Sequence, residues 1–338
     1  MIYLEENKSL EEVAAALTIP GLSLRPFAGP SDYPHIVAVS NGSREADGIE
    51  HITTLGDVTT SYSHMSNCDP LTDAFVAEIN GEVVGYGRCW WVELQDDERI
   101  YYFFVRLLPA WREKGIRRAL MHILQDRLRQ IGTSHPQTGA KFLSSWGDEA
   151  ETDWLRLLEE DGFTVVRYGF DMVRPSLDNI PNCPLPEGLE VRRGTLAEWR
   201  QIWEAAREAF RDHWAMPEWD EEGFAGESEY ATFNPNLWQI AWAGDEVAGG
   251  VLNFIDKVEN EANKQQRGYT ETIFVRCPWR KQGVAKALIA RSFQVLKEAG
   301  MTKAALGVDG ESPTGALHLY RKMGFVEVKR GVTYRKPL

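Results

Sequence analysis

The stretch YTETIFVRCPWRKQGVAKALIARSFQVLKEAG (269–300) decides the fold, because it contains a strand, a basic turn and a helix in immediate succession. Alternating residues lead into the turn around Gly283, and apolar residues then recur at helical spacing until Gly300. A helix start presents unpaired N–H groups and partial positive charge. A glycine there lets a phosphate approach the backbone closely. The stretch therefore predicts an α/β fold whose turn holds a pyrophosphate.

The same order of features occurs in the N-terminal half of the chain. RIYYFFVRLLPAWREKGI (99–116) again reads as a strand and a basic turn, and an amphipathic helix pattern follows it. Each helix is followed by a second one that ends in Gly-Phe. Corresponding residues lie 168 positions apart for Arg112 and Arg280, and 162 apart for Gly162 and Gly324. This nearly constant separation predicts a duplicated module.

Hairpin patterns precede both copies, at 75–91 around Asn80-Gly81 and at 238–254 around Gly244-Asp245. Between the copies lies the proline-rich stretch 174–190, which has little periodicity. Strands mixed with helices imply a mixed, mainly antiparallel sheet flanked by helices in each copy, in an α/β (α+β) fold. The predicted divisions are an N-terminal domain at 1–175, a linker at 176–188 and a C-terminal domain at 189–338.

Composition excludes several classes of function for this chain of 338 residues. A formal charge of −13 disfavours nucleic acid, whose binding depends on lysines and arginines, and favours a cationic or neutral small molecule. The histidines and the four cysteines lack ligand spacing, so we expect no metal site and free thiols. There is no apolar run of membrane-spanning length and no signal-peptide pattern, which favours a cytoplasmic protein with no membrane partner.

The strand-RxxGxA-helix segment, together with VDGESPTGALHLYRKMGF (308–325), resembles the GCN5-related N-acetyltransferase (GNAT) family. The resemblance covers most of the C-terminal half and extends more weakly to the repeat. It implies an enzyme that moves the acetyl group of acetyl-CoA to a primary amine within a ternary complex. Tandem members, such as the mycothiol synthase-like acetyltransferases, have a similar layout with the catalytic copy second.

The resemblance also assigns residues to the cofactor. The family's loop holds the CoA pyrophosphate, and the strand before it lies along the pantetheine and acetyl group. The family often has an asparagine near Ser312, where serine keeps a short polar group. The residues implied to bind acetyl-CoA are Ile273, Phe274, Val275, Arg280, Lys281, Gln282, Gly283, Val284, Ala285, Lys286 and Ser312.

Glu271 is the candidate general base. An alkyl amine with a pKa near ~10 is protonated at neutral pH and must lose a proton before it attacks a thioester. Period-two alternation predicts that Tyr269, Glu271, Ile273 and Val275 share one face of the strand. The glutamate also resembles the base position of several small-amine acetyltransferases. The alternative is an ordinary surface glutamate on a strand.

Tyr320 is the candidate general acid. Donation of a proton by a phenol stabilises the departing thiolate. Tyr320 lies four residues before Gly324 and, by resemblance, at the position of the family's general-acid tyrosine. The alternative is a helix aromatic packed in the core.

The first copy lacks the residues that this chemistry needs. We predict that Arg117, Tyr101 and Leu158 stand where the second copy has the small residue of the turn, the base and the acid. A bulky side chain in the turn hinders the approach of a pyrophosphate. The sequence therefore predicts a catalytically silent first copy, and a non-catalytic acyl-CoA sensor is the opposing hypothesis for the whole chain.

Residues 190–224 are helical by periodicity and then dense in aromatic and acidic side chains. By resemblance, this region walls the acceptor site, where carboxylates and aromatic faces receive a cation. Packed aromatics on a solvated acidic loop are the alternative. The side chains concerned are His213, Trp214, Trp219, Asp220, Glu221 and Glu222.

Overall fold

The computed structural model describes residues 8–94, 98–216, 219–312 and 314–338. These residues form two compact units. Unit 1 is made from the described parts of Met1–Val166, Asp220–Tyr230 and Val332–Leu338, and unit 2 from those of Arg167–Trp219 and Ala231–Gly331.

Both units contain helices and strands. In chain order the elements up to the end of the first repeat are α1 (Leu10–Ala16), β1 (Leu22–Pro26), α2 (Tyr33–Asp47), α3 (Leu55–Ser63), α4 (Pro70–Asp73), β2 (Ala74–Ile79), β3 (Glu82–Glu93), β4 (Arg99–Leu107), α5 (Ile116–Ser134), β5 (Lys141–Asp148), α6 (Thr152–Glu160) and β6 (Thr164–Arg174). The remaining elements are β7 (Glu190–Arg192), α7 (Trp199–Ala209), α8 (Glu221–Glu227), β8 (Gln239–Ala243), β9 (Glu246–Phe254), α9 (Lys257–Ala262), β10 (Arg267–Val275), α10 (Val284–Glu298), β11 (Lys303–Asp309), α11 (Ala316–Lys322) and β12 (Val326–Pro337).

Each unit contains a mixed sheet that is mainly antiparallel, which confirms the predicted fold class. The strand order in unit 1 is β1-β2-β3-β4-β5, followed by the end of β12. The order in unit 2 is β6-β11-β10-β9-β8-β7. Only β4–β5 and β10–β11 pair in parallel among the registers of the described strands. Each parallel pair is joined by the helix that follows the basic turn.

Helices α5 and α10 each contribute many buried side chains to the core of their unit. α5 packs across β3 and β4, and α10 packs across β8, β9 and β10. Leu288, Phe293 and Leu296 of α10 are fully buried. Burial of such a side chain contributes about 1.5–3 kcal/mol. The amphipathic spacing read from the sequence therefore accounts for the position of this helix.

Turn chemistry explains where most elements begin and end. Asn80 and Gly81 have φ values of 52° and 83°, which the predicted type I′ hairpin requires. The helices α6 and α11 end just before Gly162 and Gly324, whose φ values are 85° and 87°. α5 continues through Gly132 and ends at Ser134.

The two units do not follow the predicted boundaries at 175 and 189. Strand β6 begins in unit 1 and continues in unit 2, and β12 runs back from unit 2 into unit 1. Within unit 1, the Ser144 hydroxyl donates to the Tyr334 carbonyl over 3.1 Å. The predicted linker 176–188 is irregular, but Leu177 is buried in the unit 2 core and its N–H donates to the Thr302 carbonyl. A single boundary in the sequence cannot separate the units, because β6 and β12 each contribute residues to both of them.

Candidate active site

A β-bulge distorts β10 where the candidate base lies. Glu271 pairs with Leu252 of β9, and the next registered pair is Phe274 with Gly250. The extra residue is accommodated at Thr272, whose φ is 46°. On the other side, the parallel ladder with β11 ends at Tyr269. Bulges of this kind redirect side chains and end strand pairing beside active sites.

The Glu271 carboxylate lies between β10 and β11 beyond the end of their ladder. Its Oε1 accepts a hydrogen bond of 2.8 Å from the Gly307 N–H. Burial raises the pKa of Glu271 to about 7, the Gly307 hydrogen bond lowers it, and the nearby Asp171 carboxylate raises it further. A carboxylate that is half ionised near neutral pH suits a general base.

Tyr320 lies on α11 and is almost fully buried, with 7% of its surface exposed. Its ring packs edge-on against Phe325 at 6.1 Å between centroids. Burial raises the pKa of the phenol well above its ordinary value, and the negative charge of Glu271 raises it further. The structure thus brings the candidate base and acid within electrostatic range of each other, and the phenol keeps its proton at neutral pH.

The prediction that alternate residues of β10 share one face is wrong, because the bulge interrupts the alternation. Glu271 and Phe274 pair with residues two apart on β9, so both face away from α10. Val275 packs instead in the core beneath α10. Tyr269 and Glu271 share a face as predicted, because they pair with Phe254 and Leu252, whereas Ile273 and Val275 were wrongly placed with them.

The basic turn forms an open cradle at the start of α10. A short 3-10 helix, Cys277–Trp279, precedes it, and Lys281 and Gly283 have φ values of 62° and 95°. α10 begins at Val284 without a side-chain cap. A Cβ atom on Gly283 would meet nothing within 4 Å. Space and unsatisfied helix N–H groups together suit the pyrophosphate that the sequence pattern implied.

Arg280 shapes this turn through its side chain. Its guanidinium donates to the Val275 carbonyl at 3.0 Å, to the Ala209 carbonyl at 2.8 Å and to the Asp212 carboxylate at 2.8 Å. These bonds tie the turn to the end of α7. Direct contact of Arg280 with the cofactor stays a prediction.

Lys281 and Gln282 lie in the basic turn, Lys286 lies in the first turn of α10, and Ser312 lies in a separate loop. The Gln282 amide donates to the Pro278 carbonyl at 2.8 Å, and Lys281 and Lys286 are exposed. Ser312 lies in the loop between β11 and α11, where its hydroxyl is 2.9 Å from that of Thr314.

Comparison with known proteins identifies the family of this arrangement. A model described as "Acetyltransferase (GNAT) family" matches residues 49–137 and 199–325. The chain belongs to this GNAT acetyltransferase family. The two matched segments correspond to the two sequence repeats.

Proteins named as acetyltransferases match this chain over most of their length. The mycothiol acetyltransferase of Geodermatophilus obscurus is 22% identical over 310 residues, which cover 91% of this chain and 95% of the relative. A GCN5-related N-acetyltransferase from Sphaerobacter thermophilus is 26% identical with a TM-score of 0.69, covering 95% of this chain and 97% of that one. A tandem GNAT protein from the clavulanic acid biosynthesis pathway shares the fold at 14% identity, with a TM-score of 0.65 and coverage of 94% and 98%. No helix of the described ranges is both long enough and apolar enough to span a bilayer.

A leucine side chain lies close to the GNAT turn of unit 1. A Cβ atom on Gly115, which corresponds to Gly283, would lie 2.9 Å from Cδ2 of Leu17. Arg117 turns inward and donates to Asp153 at 2.9 Å and to Glu151 at 3.2 Å. The side chain expected to obstruct the pyrophosphate is therefore buried, and a methyl group of Leu17 lies where a side chain on Gly115 would be.

The base position of unit 1 holds Phe104 and not Tyr101. Strand β4 pairs with β3 without a bulge from Gly85 opposite Leu107 onward. With Gly85 aligned to Gly249 of unit 2, the pair of Arg88 and Phe104 takes the place of Leu252 and Glu271. Tyr101 and Phe104 are three residues apart: the bulge in β10 accounts for one of them, and the other two arise because Leu107, and not Val105, corresponds to Val275 in the sheet register. No carboxylate stands at the base position of this GNAT unit.

The region expected to wall the acceptor site is divided between the units. Asp220 and Glu222 belong to unit 1, where the Ser66 hydroxyl donates to Asp220 and His64 lies 3.1 Å from Glu222. Trp214 belongs to unit 2 and stacks under the Arg167 guanidinium at 5.0 Å. The acidic part of the predicted wall therefore packs with the first GNAT unit.

Two neighbours of the base were not foreseen from the sequence. Gly307 supplies the N–H that holds Glu271, and Asp171 lies opposite Gly307 in the register of β6 and β11. A lone glycine within an apolar strand signals a close approach to the backbone, and Gly307 carried that signal. Nothing in the sequence around Asp171 pointed to the site.

Proposed function

We propose that unit 2 transfers the acetyl group of acetyl-CoA to a primary amine of a small-molecule acceptor, by direct attack in a ternary complex. The observation that carries this proposal is the Glu271 carboxylate, with a pKa of about 7, in electrostatic range of the protonated Tyr320. Membership of the GNAT acetyltransferase family and the similarity to proteins named mycothiol acetyltransferase support the reaction class. Unit 1 has neither group and serves a different purpose.

Acetyl-CoA supplies a thioester whose leaving group is a thiolate. The first-turn N–H groups of α10 and the open face of Gly283 hold the pyrophosphate, helped by the positive charges of Lys281 and Lys286. Arg280 fixes the turn in the required shape through its bonds to Val275, Ala209 and Asp212. The fit rests on the cradle at Gly283, where no protein atom would meet an added side chain.

Glu271 and Tyr320 move the two protons of the reaction. Glu271 accepts a proton from the acceptor ammonium, and the free amine then attacks the thioester carbon. The Tyr320 phenol donates its proton to the departing thiolate. The C–S bond breaks as the thiolate is protonated, and the acetylated nitrogen then gives its second surplus proton to the Tyr320 phenolate. Glu271 releases the first proton to solvent, so both groups are restored and each turnover releases one proton.

Substitution of Gly283 by leucine is expected to weaken acetyl-CoA binding by at least about tenfold, because a side chain would fill the cradle that the pyrophosphate needs. The matched control is Gly115→Leu. Both glycines have φ near 90°, at 95° and 85°, so both substitutions strain the backbone. Calorimetry with acetyl-CoA is expected to show lost binding only for the Gly283 variant. Equal loss in both variants, or in neither, would contradict the proposed cofactor site.

A further inference from the structure

Unit 1 contains a guanidinium with aromatic neighbours and no acidic partner among the described residues. The Cζ atom of Arg88 lies 5.0 Å from the ring centroid of Tyr62 and 5.5 Å from those of Trp90 and Phe104. Its Nη1 donates to the Met65 sulfur at 3.4 Å, and sulfur is a weak acceptor. Its Nε is buried and has no hydrogen-bond partner. A buried donor without an acceptor is costly and marks a place where a ligand can supply one.

The hydroxyl of Tyr62 beside Arg88 is also buried without a hydrogen-bond partner. Two polar groups that belong to one cluster therefore lack acceptors. An unsatisfied buried donor costs free energy that a bound acceptor recovers. One carboxylate presents enough lone pairs to satisfy both the guanidinium fork and the phenol.

An aromatic patch extends from Arg88 along the same face of the unit 1 sheet. Trp90 stacks on Tyr102 at 5.4 Å and contacts Trp146 edge-on at 5.7 Å. Phe104 lies 6.3 Å from Trp146. Trp146 is 40% exposed. This aromatic patch, formed by Trp90, Tyr102, Phe104 and Trp146, offers planar apolar surface beside a positive charge.

Duplication relates this cluster to the candidate active site of unit 2. The pair of Arg88 and Phe104 occupies the register of Leu252 and Glu271. Where unit 2 has a carboxylate that suits a cationic acceptor, unit 1 has an apolar ring with a guanidinium opposite. The corresponding strand pair therefore has a positive side chain in unit 1 and a negative side chain in unit 2.

We propose that unit 1 binds a small carboxylate with a planar aromatic body. The carboxylate accepts hydrogen bonds from Arg88 and Tyr62, in the planar geometry that arginine favours. The ring lies on the aromatic patch, where offset or edge-on packing is favourable. This site is separate from acetyl transfer and does not depend on the function proposed for unit 2.

The test is a ligand charge series on the full-length protein, followed by tryptophan fluorescence and calorimetry. The probes are phenylacetate and indole-3-acetate, with phenylacetamide and phenethylamine as the neutral and cationic matches of phenylacetate. We expect saturable binding of at least one carboxylate with Kd below about 1 mM. The amide and the amine are expected to bind at least about tenfold more weakly, because neither carries the negative charge.

Substitutions of Arg88 and Tyr62 test whether the carboxylate binds at these two residues. Arg88→Met is expected to lower carboxylate affinity at least about tenfold and to leave phenylacetamide affinity unchanged, and Tyr62→Phe to cause a smaller loss. Arg129→Met is the control, since Arg129 is an exposed arginine of unit 1 that pairs with Asp126 at 2.7 Å. Thermal unfolding checks that each variant is folded, and Arg88→Gln replaces Arg88→Met should the latter fail to fold.

Three results would overturn the proposal. The first is no saturable carboxylate binding in the wild type, and the second is equal binding of the carboxylate, amide and amine. The third is carboxylate binding that survives the Arg88 substitutions, which would show that binding occurs elsewhere. The wild-type charge series decides the first two without any variant.

Discussion

Replacement of Glu271 by glutamine is expected to lower kcat/KM for amine acetylation by about 10²–10⁴-fold, the usual contribution of a general base. The amide oxygen of glutamine can still accept the Gly307 N–H bond of 2.8 Å, so the strand geometry is retained. The amide cannot take a proton from the acceptor ammonium. Acetyl-CoA affinity measured by calorimetry is therefore expected to remain close to that of the wild type.

The pH dependence of kcat/KM in the wild type should show the ionisation of Glu271. Because burial raises the pKa of Glu271 to about 7, the carboxylate is protonated and inactive as a base below that pH. We expect kcat/KM to fall about tenfold per pH unit below pH 7, and this limb to be absent in Glu271→Gln. The control is Glu298→Gln, which removes a glutamate at the end of α10 that binds only Gln294 among its described neighbours. A Glu271→Gln enzyme with wild-type rate and profile would exclude Glu271 as the base.

Substitution of Arg117 by methionine is expected to lower the free energy of unfolding by about 3–5 kcal/mol. Arg117 is 3% exposed and donates to Asp153 and Glu151, and Glu151 is itself 3% exposed. Methionine fills much of the volume but leaves these carboxylates with less positive charge in a poorly solvated place. Removing one partner of a buried ion pair is costly because the charge of the other partner is left uncompensated.

Arg118→Met provides the matched control, because Arg118 is the next residue of α5 and its pair with Glu160 is largely exposed. Its expected cost is at most about 1 kcal/mol. Chemical denaturation of both variants measures the difference. Equal stability of the two variants would mean that the buried cluster of unit 1 does not hold that unit together.

Local patterns in the sequence predicted most of the elements around the site. The hairpin at Asn80-Gly81, the amphipathic α10 and the helix ends before Gly162 and Gly324 all depend on residues close in sequence. Each of these predictions was confirmed. The choice of family rested on the same local features and was confirmed by the family match.

The remaining features depend on pairing between distant strands. The bulge at Thr272 arises from the register of β10 on β9, and it moved Ile273 and Val275 away from the face of Glu271. The same bulge accounts for one of the three residues that separate the predicted position Tyr101 from Phe104. The passage of β12 back into unit 1 likewise has no signature in local periodicity. Asp171 lies beside the site because β6 pairs with β11, and local sequence patterns do not specify that pairing.

The most direct test of the central claim is release of CoA thiol from acetyl-CoA against a panel of amines, comparing the wild type with Tyr320→Phe. The panel contains an aminoglycoside, a polyamine, amino acids, a cysteinyl conjugate and a peptide amine. We predict that the wild type acetylates at least one amine, confirmed by mass of the product, and that Tyr320→Phe lowers kcat while acetyl-CoA affinity is retained. Tight acetyl-CoA binding with no thiol release for any amine would contradict the proposed transfer and identify an acyl-CoA-binding protein instead.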